Sequence, residues 1–266
     1  MNVLIIGRGN VGSALRRALK ARGDLDVTTA GHTVRRTQVQ SANVILLTVP
    51  DTAIRPVAES IASHVQPGQV VLHCAGARGT EELTSCASRG AATGVMHPLV
   101  SFPNRKTNPP LPGTTFVVHG APRANRTART IAKACGARAI AQNVSGAAYH
   151  AAAALVANGA AAIAFEGVRI LRKIGFEQRD AERAIGGLMR SVGDNVERIG
   201  VPDALTGPIA RGDAATVRHH RGALAKLGKG PRAAYDAVGP VILECAKAAG
   251  LGRRRATEVA RALRQR

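Results

Sequence analysis

The opening of the chain constrains its fold more than any other stretch. Asn2 to Ile6 is a β-branched apolar run, Gly7-Arg8-Gly9-Asn10-Val11-Gly12 follows at once, and Ser13 to Ala21 then has the spacing of an amphipathic helix. Strand, glycine turn and helix in that order leave three positions where a side chain is a liability. Gly7 makes the tight turn, Gly9 clears the place where a pyrophosphate must approach, and Gly12 lets the helix pack closely on the strand. The helix start then offers unpaired backbone N–H groups to an anion. The pattern predicts a dinucleotide-binding βα unit with cofactor contacts from Gly7, Arg8, Gly9, Asn10, Val11 and Gly12.

Strands and helices alternate over the next hundred or so positions. Strands are expected at 26–30, 42–50, 69–76, in AATGVMHPLVSF where a strand end delivers His97, over TTFVVHG and at 137–141, with a helix at 122–135 and a proline-rich loop at 101–113. Asp51 is expected to cap the helix that follows it. Ligands of a parallel doubly wound sheet sit beyond the carboxyl ends of its strands, so Val49, Pro50, Asp51, His73 and Gly76 should border the cofactor. His97, followed by Pro98, reaches the same edge and is a candidate functional histidine; His73 is weighed as a packed one. At the end of the second strand, Thr28 to Gly31 supply no carboxylate for a ribose diol. His32, Arg35 and Arg36 come next, and an arginine there accepts the extra phosphate of NADP, so NADP(H) is expected over NAD(H).

From Ser145 to about Lys173 the chain reads as one long Ala-rich helix without proline, uncharged until Glu166. That composition favours a helix buried around most of its circumference. Ala and Gly give little transfer energy, and His150, Asn158 and Gly159 interrupt the run, which argues against a membrane span. The rest is almost all helix: an amphipathic segment with Ile185, Leu188, Met189, Val192, Val196 and Ile199 on one side, then a Gly- and Pro-containing loop with Arg211 and Asp213, then helix from 231 to 264 broken at Gly250 to Gly252. Asp213 should cap a helix, and Arg211 could hold a carboxylate by a bidentate pair. The order predicts an α/β fold, a doubly wound Rossmann-type sheet over 1–143, followed by an all-α domain over 144–266.

Composition narrows the partners. The net charge of +20 raises nucleic acid as a candidate, but the basic residues are dispersed and aromatics are only 2% with no Trp, so no platform for stacking bases is evident. Nucleic acid and membrane are both read as unlikely partners. Cys74, Cys86, Cys135 and Cys245 form no CxxC pair and have no metal-ligand spacing with the histidines, so no metal is expected and reduced thiols in the cytoplasm are. The start runs straight into a strand, so no export leader is expected.

GRGNVG, LLTVPD at 46–51, HCAG at 73–76, MHPLVSF at 96–102, YHAAAALVAN at 149–158 and LTGPIARGD at 205–213 together resemble a group of Rossmann-like oxidoreductases with an additional C-terminal helical domain of unknown function. That group is similar to pyrroline-5-carboxylate reductases, prephenate dehydrogenases and the β-hydroxyacid dehydrogenase superfamily. The resemblance implies a helical domain of the 6-phosphogluconate dehydrogenase C-terminal type, a homodimer formed through it, and NADP-dependent chemistry between the domains. By position, His97-Pro98 resembles the His-Pro of prephenate dehydrogenases, and His150, four residues after Gly146, stands where β-hydroxyacid dehydrogenases place their catalytic lysine. Ala75 replaces the usual serine before Gly76. These residues imply a hydride-transfer enzyme acting on a small carbonyl, hydroxy-acid or imine substrate, with His150 as proton donor, His97 and Asn158 orienting the reacting group and Arg211 holding an acidic tail. The alternative is a sensor or scaffold that binds NADP(H) without turnover.

Overall fold

The computed structural model describes residues 1–264 apart from Asp24, His32, Arg105, Thr107, Asn108 and Ser145. The contacts divide the chain into two compact units, Met1–Leu155 and Val156–Arg266.

The first unit is built on seven strands: β1 Asn2–Ile6, β2 Asp26–Ala30, β3 Val44–Leu47, β4 Val70–His73, β5 Ala92–Pro98, β6 Thr115–Gly120 and β7 Arg138–Ala141. They lie in the order β2-β1-β3-β4-β5-β6-β7. β1 to β5 are parallel, β6 runs antiparallel to β5, and β7 runs parallel to β6. Because the chain leaves β1 for one side and returns to the other, the topological switch point lies between β1 and β3. The helices are α1 Asn10–Lys20, α2 Arg36–Ser41, α3 Ile54–Ala62, α4 Thr84–Ala87 and α5 Pro122–Ala134.

The central strands are apolar on both faces because both are covered. On one face Val3, Ile5, Leu46 and Leu72 pack with Leu15 and Leu19 of α1 and Ile131 of α5. On the other, Leu4, Ile6, Ile45 and Leu47 pack with Val39 of α2, Ile54 and Ile61 of α3 and Cys86 of α4. Each such side chain, fully buried, contributes about 1.5–3 kcal/mol. The strands and α5 lie where the sequence pattern puts them. α2 and α4 are too short to show a helical period and were not expected. Asp51 does not cap a helix: it opens a short 3-10 turn, Asp51–Ala53, whose preceding residue is Pro50, and no side-chain hydrogen bond caps it.

The long helix α6, Ala147–Lys173, runs from the first unit into the second; its expected first residue, Ser145, lies outside the described residues. The second unit continues with α7 Gln178–Ile199, α8 Pro208–Arg211, α9 Ala214–Lys226, α10 Lys229–Ala248 and α11 Arg253–Arg264. Its core joins α8 to α11 through Ile209, Val217, Leu243, Val259, Ala262 and Leu263. The buried Arg221 of α9 holds that core to α10 and α11: it reaches Asp236 at 2.6 and 3.1 Å and donates to the Ala262 carbonyl at 2.6 Å. The short α8 occupies what reads in sequence as loop, and Asp213 caps α9 as expected, accepting from the Thr216 N–H at 3.0 Å.

The expectation for α6 is corrected. No residue of this helix is buried, and Leu155, Val156, Ile163 and Phe165 are all exposed. The apolar side chains of α7 are also left open, Leu188, Val192, Val196 and Ile199 among them. Where the two helices do meet, Gly167 lets Ile185 close in, since a Cβ at Gly167 would stand 2.9 Å from the Ile185 side chain. Apolar composition states that a helix needs cover; it does not state that the same chain supplies it.

Candidate functional site

The glycine turn lies at the switch point, between the end of β1 and the start of α1. Gly7 has φ +117°, and a Cβ there would meet the Thr48 carbonyl oxygen at 2.6 Å. A Cβ at Gly12 would collide with the Gly7 carbonyl oxygen. Gly9 differs: a Cβ would find nothing nearer than the Thr48 carbonyl at 4.0 Å. Gly7 and Gly12 are therefore required by the protein's own packing, whereas Gly9 faces open space that a ligand can use.

Sequence reasoning missed the residue that holds the turn. Thr48, buried just beyond β3, places its hydroxyl 3.1 Å from the carbonyls of both Ile6 and Gly7. A lone hydroxyl in the apolar run LLTVP was the available signal. Asn10, at the start of α1, donates to the Phe102 carbonyl at 3.0 Å and so ties the segment after β5 to the same edge.

A cleft of about 500 Å³ opens along this edge, lined by Gly7, Arg8, Gly9, Gly31, Thr48 and Ser60 on one hand and by the apolar Val34, Val49, Pro50, Ala53 and Val57 on the other. Its glycine side fits a pyrophosphate approaching the α1 start, and its apolar side fits a planar base. The Arg8 side chain lies close to Gly31 at the end of β2. A second hollow on the α1 side is lined by Arg8, Ser13, Arg16 and Thr29. Arg16 was not singled out from sequence. Arg35 and Arg36 are exposed at the start of α2, and His32 lies outside the described residues.

Further along the strand ends stands a group of aromatic and imidazole rings. His73, at the end of β4, is wholly buried; its Nε2 is 2.9 Å from the Gly79 carbonyl and its Nδ1 accepts from the Ala75 N–H at 3.2 Å. With both nitrogens occupied and burial lowering its pKa, His73 shapes the loop from 74 to 79 as a neutral ring. That loop supports His97 of β5, for a Cβ on Gly76 would stand 2.7 Å from the His97 ring. The His97 Nδ1 in turn lies 2.8 Å from the hydroxyl of Tyr149, in the first turn of α6, with the rings edge to face at 5.5 Å. Burial first, then the neighbouring His150, lowers the His97 pKa to about 4, against the opposing pull of Asp51. Burial raises the Tyr149 pKa. His150 is exposed, its ring 6.5 Å from that of His97. Val49, Pro50 and Asp51 follow β3 at the same edge, with Asp51 exposed. The structure thus brings His97, His150, His73 and Gly76 together and adds Tyr149, which the sequence did not single out.

Asn158 and Arg211 belong to the second unit, and both are exposed. Arg211 ends α8 immediately before Gly212, whose φ of +74° turns the chain into the Asp213 cap. Two hydrogen bonds from Thr216 hold the Asp213 carboxyl below its usual pKa, with Arg211 adding a smaller pull in the same direction.

A glycine turn at the switch point of a parallel sheet, followed by a helical unit, defines a Rossmann-like fold with an added helical part. Residues 29–98 match the Rossmann-like domain, and residues 114–241 match the domain of unknown function DUF2520. The two matches follow one another along the chain without overlap. A protein from Thermotoga maritima is 24% identical over 93% of this chain and 99% of its own, with a TM-score of 0.63. An imine reductase from Streptomyces aurantiacus is 16% identical over 100% of both chains, with a TM-score of 0.65. A pyrroline carboxylate reductase from Plasmodium falciparum, solved with NADP bound, is 13% identical over 98% of each chain, with a TM-score of 0.63. No curated protein matches the sequence. The fold is one that these reductases share.

Proposed function

We propose that the protein is an NADP(H)-dependent oxidoreductase that moves a hydride between the cofactor and a small carbonyl, hydroxy-acid or imine substrate. The observation that carries this reading is the glycine cradle at the β1/β3 switch point, closed by Thr48 and open at Gly9, on the same strand edge as the His97–Tyr149 pair. The backbone N–H groups at the start of α1 would hold the pyrophosphate, Val34, Val49 and Val57 the base, and the strand ends the nicotinamide. When bound, the cofactor supplies or accepts the hydride; the protein binds, orients and moves the proton. NADP is favoured over NAD because Thr28 to Gly31 offer the ribose no carboxylate, while Arg8, Arg16, Arg35 and Arg36 surround that end of β2 and the start of α2 with positive charge.

The same reading includes a homodimer through the helical part. The exposed apolar residues of α6 and α7 form far more uncovered apolar surface than scattered single side chains, and a second copy would cover it. α6 is long and apolar enough to cross a membrane, but α7 carries its apolar side among many charges, which suits association in water better than lipid. A cytoplasmic location accords with Cys74, Cys86 and Cys135, buried thiols whose pKa values burial pushes up to about 12, 11 and 12.

Titration with NADPH and NADH, followed by nicotinamide fluorescence, tests the cofactor. Gly9→Asp would set a carboxylate against the pyrophosphate and should weaken NADPH binding by at least about a hundredfold. Equal binding by the variant, or none by the natural protein, would overturn the reading. Binding without turnover across a panel of keto acids and cyclic imines would instead favour a sensor.

A further inference from the structure

We propose that the hydroxyl of Tyr149, held by His97, is the group that gives the substrate its proton, and that His150 has a lesser part. This rests on the oxidoreductase reading and deepens it. Tyr149 and His97 come from α6 and β5, 52 positions apart in sequence, and meet at 2.8 Å beyond the carboxyl end of a sheet strand, where ligands of such folds lie. The His97 ring is fixed on three sides: by its strand, by the backbone at Gly76 and by the Tyr149 ring edge. A donor held in this way needs no reorganisation when charge develops on the substrate. His150 has no such fixture: its side chain is exposed, and among the described residues no hydrogen bond holds its ring.

The protonation states suit these roles. Burial keeps His97 a neutral imidazole near pH 7, so one ring nitrogen carries hydrogen and the other does not. With the hydrogen on Nδ1, His97 donates to the phenol oxygen and leaves the phenol hydrogen free to point at substrate. Burial also keeps Tyr149 a protonated phenol. The groups acting on His97 are His150, Asp51 and His73, of which only Asp51 favours its charged form. In the reductive direction, a hydride from NADPH forms the new C–H bond and the C=O or C=N π pair takes the Tyr149 proton. NADPH becomes NADP⁺, and the substrate becomes an alcohol or amine. The tyrosinate recovers a proton from His97 Nδ1 as Nε2 takes one from water. His97 ends as the other neutral tautomer, and proton exchange with water returns its hydrogen to Nδ1 before the next turnover.

The chain has two tyrosines and no tryptophan, which makes the pair easy to observe. Protein labelled with ¹⁵N-histidine and ¹³Cζ-tyrosine would be examined by NMR near pH 7, with Tyr149→Phe assigning the Tyr149 signal against that of Tyr235. The expected result is a neutral His97 with hydrogen on Nδ1, and a Tyr149 signal that moves in His97→Ala and returns towards its natural position in His97→Asn, which keeps an N–H near Nδ1. A charged His97, hydrogen on Nε2 only, or a Tyr149 signal indifferent to His97→Ala would overturn the proposal. Turnover is measured by NADPH oxidation with 1-pyrroline and with pyruvate. Tyr149→Phe should lower kcat by about a hundredfold or more while NADPH binding by fluorescence stays within about threefold, and His150→Ala should lose less. Equal losses, or a larger loss in His150→Ala, would overturn it too. If the natural protein reduces neither probe, the oxidoreductase reading fails for those substrate classes, and the NMR result alone decides the pairing.

Discussion

The first unit covers both faces of its sheet with its own helices, whereas the second covers only part of what it exposes. In the first, Leu4, Leu46 and Leu72 are wholly buried by α1, α3 and their neighbours. In the second, α8 to α11 close around Val217 and Val259, but Phe165 of α6 and Leu188 of α7 remain 63% and 61% exposed. The contrast teaches that a sequence can be apolar in two regions and yet cover that apolarity from within the chain in one and leave it open in the other.

The contrast is most open to attack at α7. Leu188→Asp with Val192→Asp should weaken self-association by at least about a hundredfold, measured by sedimentation across protein concentration. A natural protein that stays monomeric at every concentration would break the comparison outright. A second effect sharpens it: Leu4→Ala should cost about 2–5 kcal/mol in denaturant unfolding, independent of concentration. Leu188→Ala should cost less than about 0.5 kcal/mol in the separated chain, and more only where chains associate.

A further expected effect concerns the part of the second unit that does close on itself. The Arg221 guanidinium, with help from Arg232, holds the Asp236 carboxyl below its usual pKa. A depressed carboxylate stabilises the fold above its unfolded pKa and loses that contribution as pH falls through the lower, folded value. Unfolding of the second unit should therefore ease progressively below pH of about 4. Asp236→Asn should remove roughly 1–3 kcal/mol at neutral pH, because the buried Arg221 loses the carboxylate that balances its charge and keeps only its other contacts, and should flatten that acid dependence. An unchanged acid profile in the variant would place the sensitivity elsewhere.

What could be read from the sequence follows from how local each feature is. The turn from Gly7 to Gly12 is legible because its three glycines and the strand and helix they join are contiguous in sequence, and the central strands because burial on both faces leaves unbroken apolar runs. α2 and α4 were not, since helices of six and four residues carry no period. The exposure of α6 was illegible for a different reason: composition reports a need for cover and is silent on its source. At the candidate site, the strand end points to His97 from sequence, but nothing local distinguishes Tyr149 from the chemically louder His150 beside it. Only the fold, by bringing positions 97 and 149 together, shows which of two adjacent side chains is held.

The Thr48 hydroxyl bears on the order in which the molecule is assembled. It reaches the Gly7 carbonyl across 41 positions of sequence, so the phosphate cradle is not a property of the glycine motif alone. A fragment ending at Lys20 would contain every glycine of the turn and the whole of α1, yet lack the hydroxyl that closes it. Closing it means bringing β3 against β1 first, and that is a loop closure whose entropy must be overcome before a phosphate finds its seat. The most local signature in the sequence is thus complete only once two strands distant in sequence have paired.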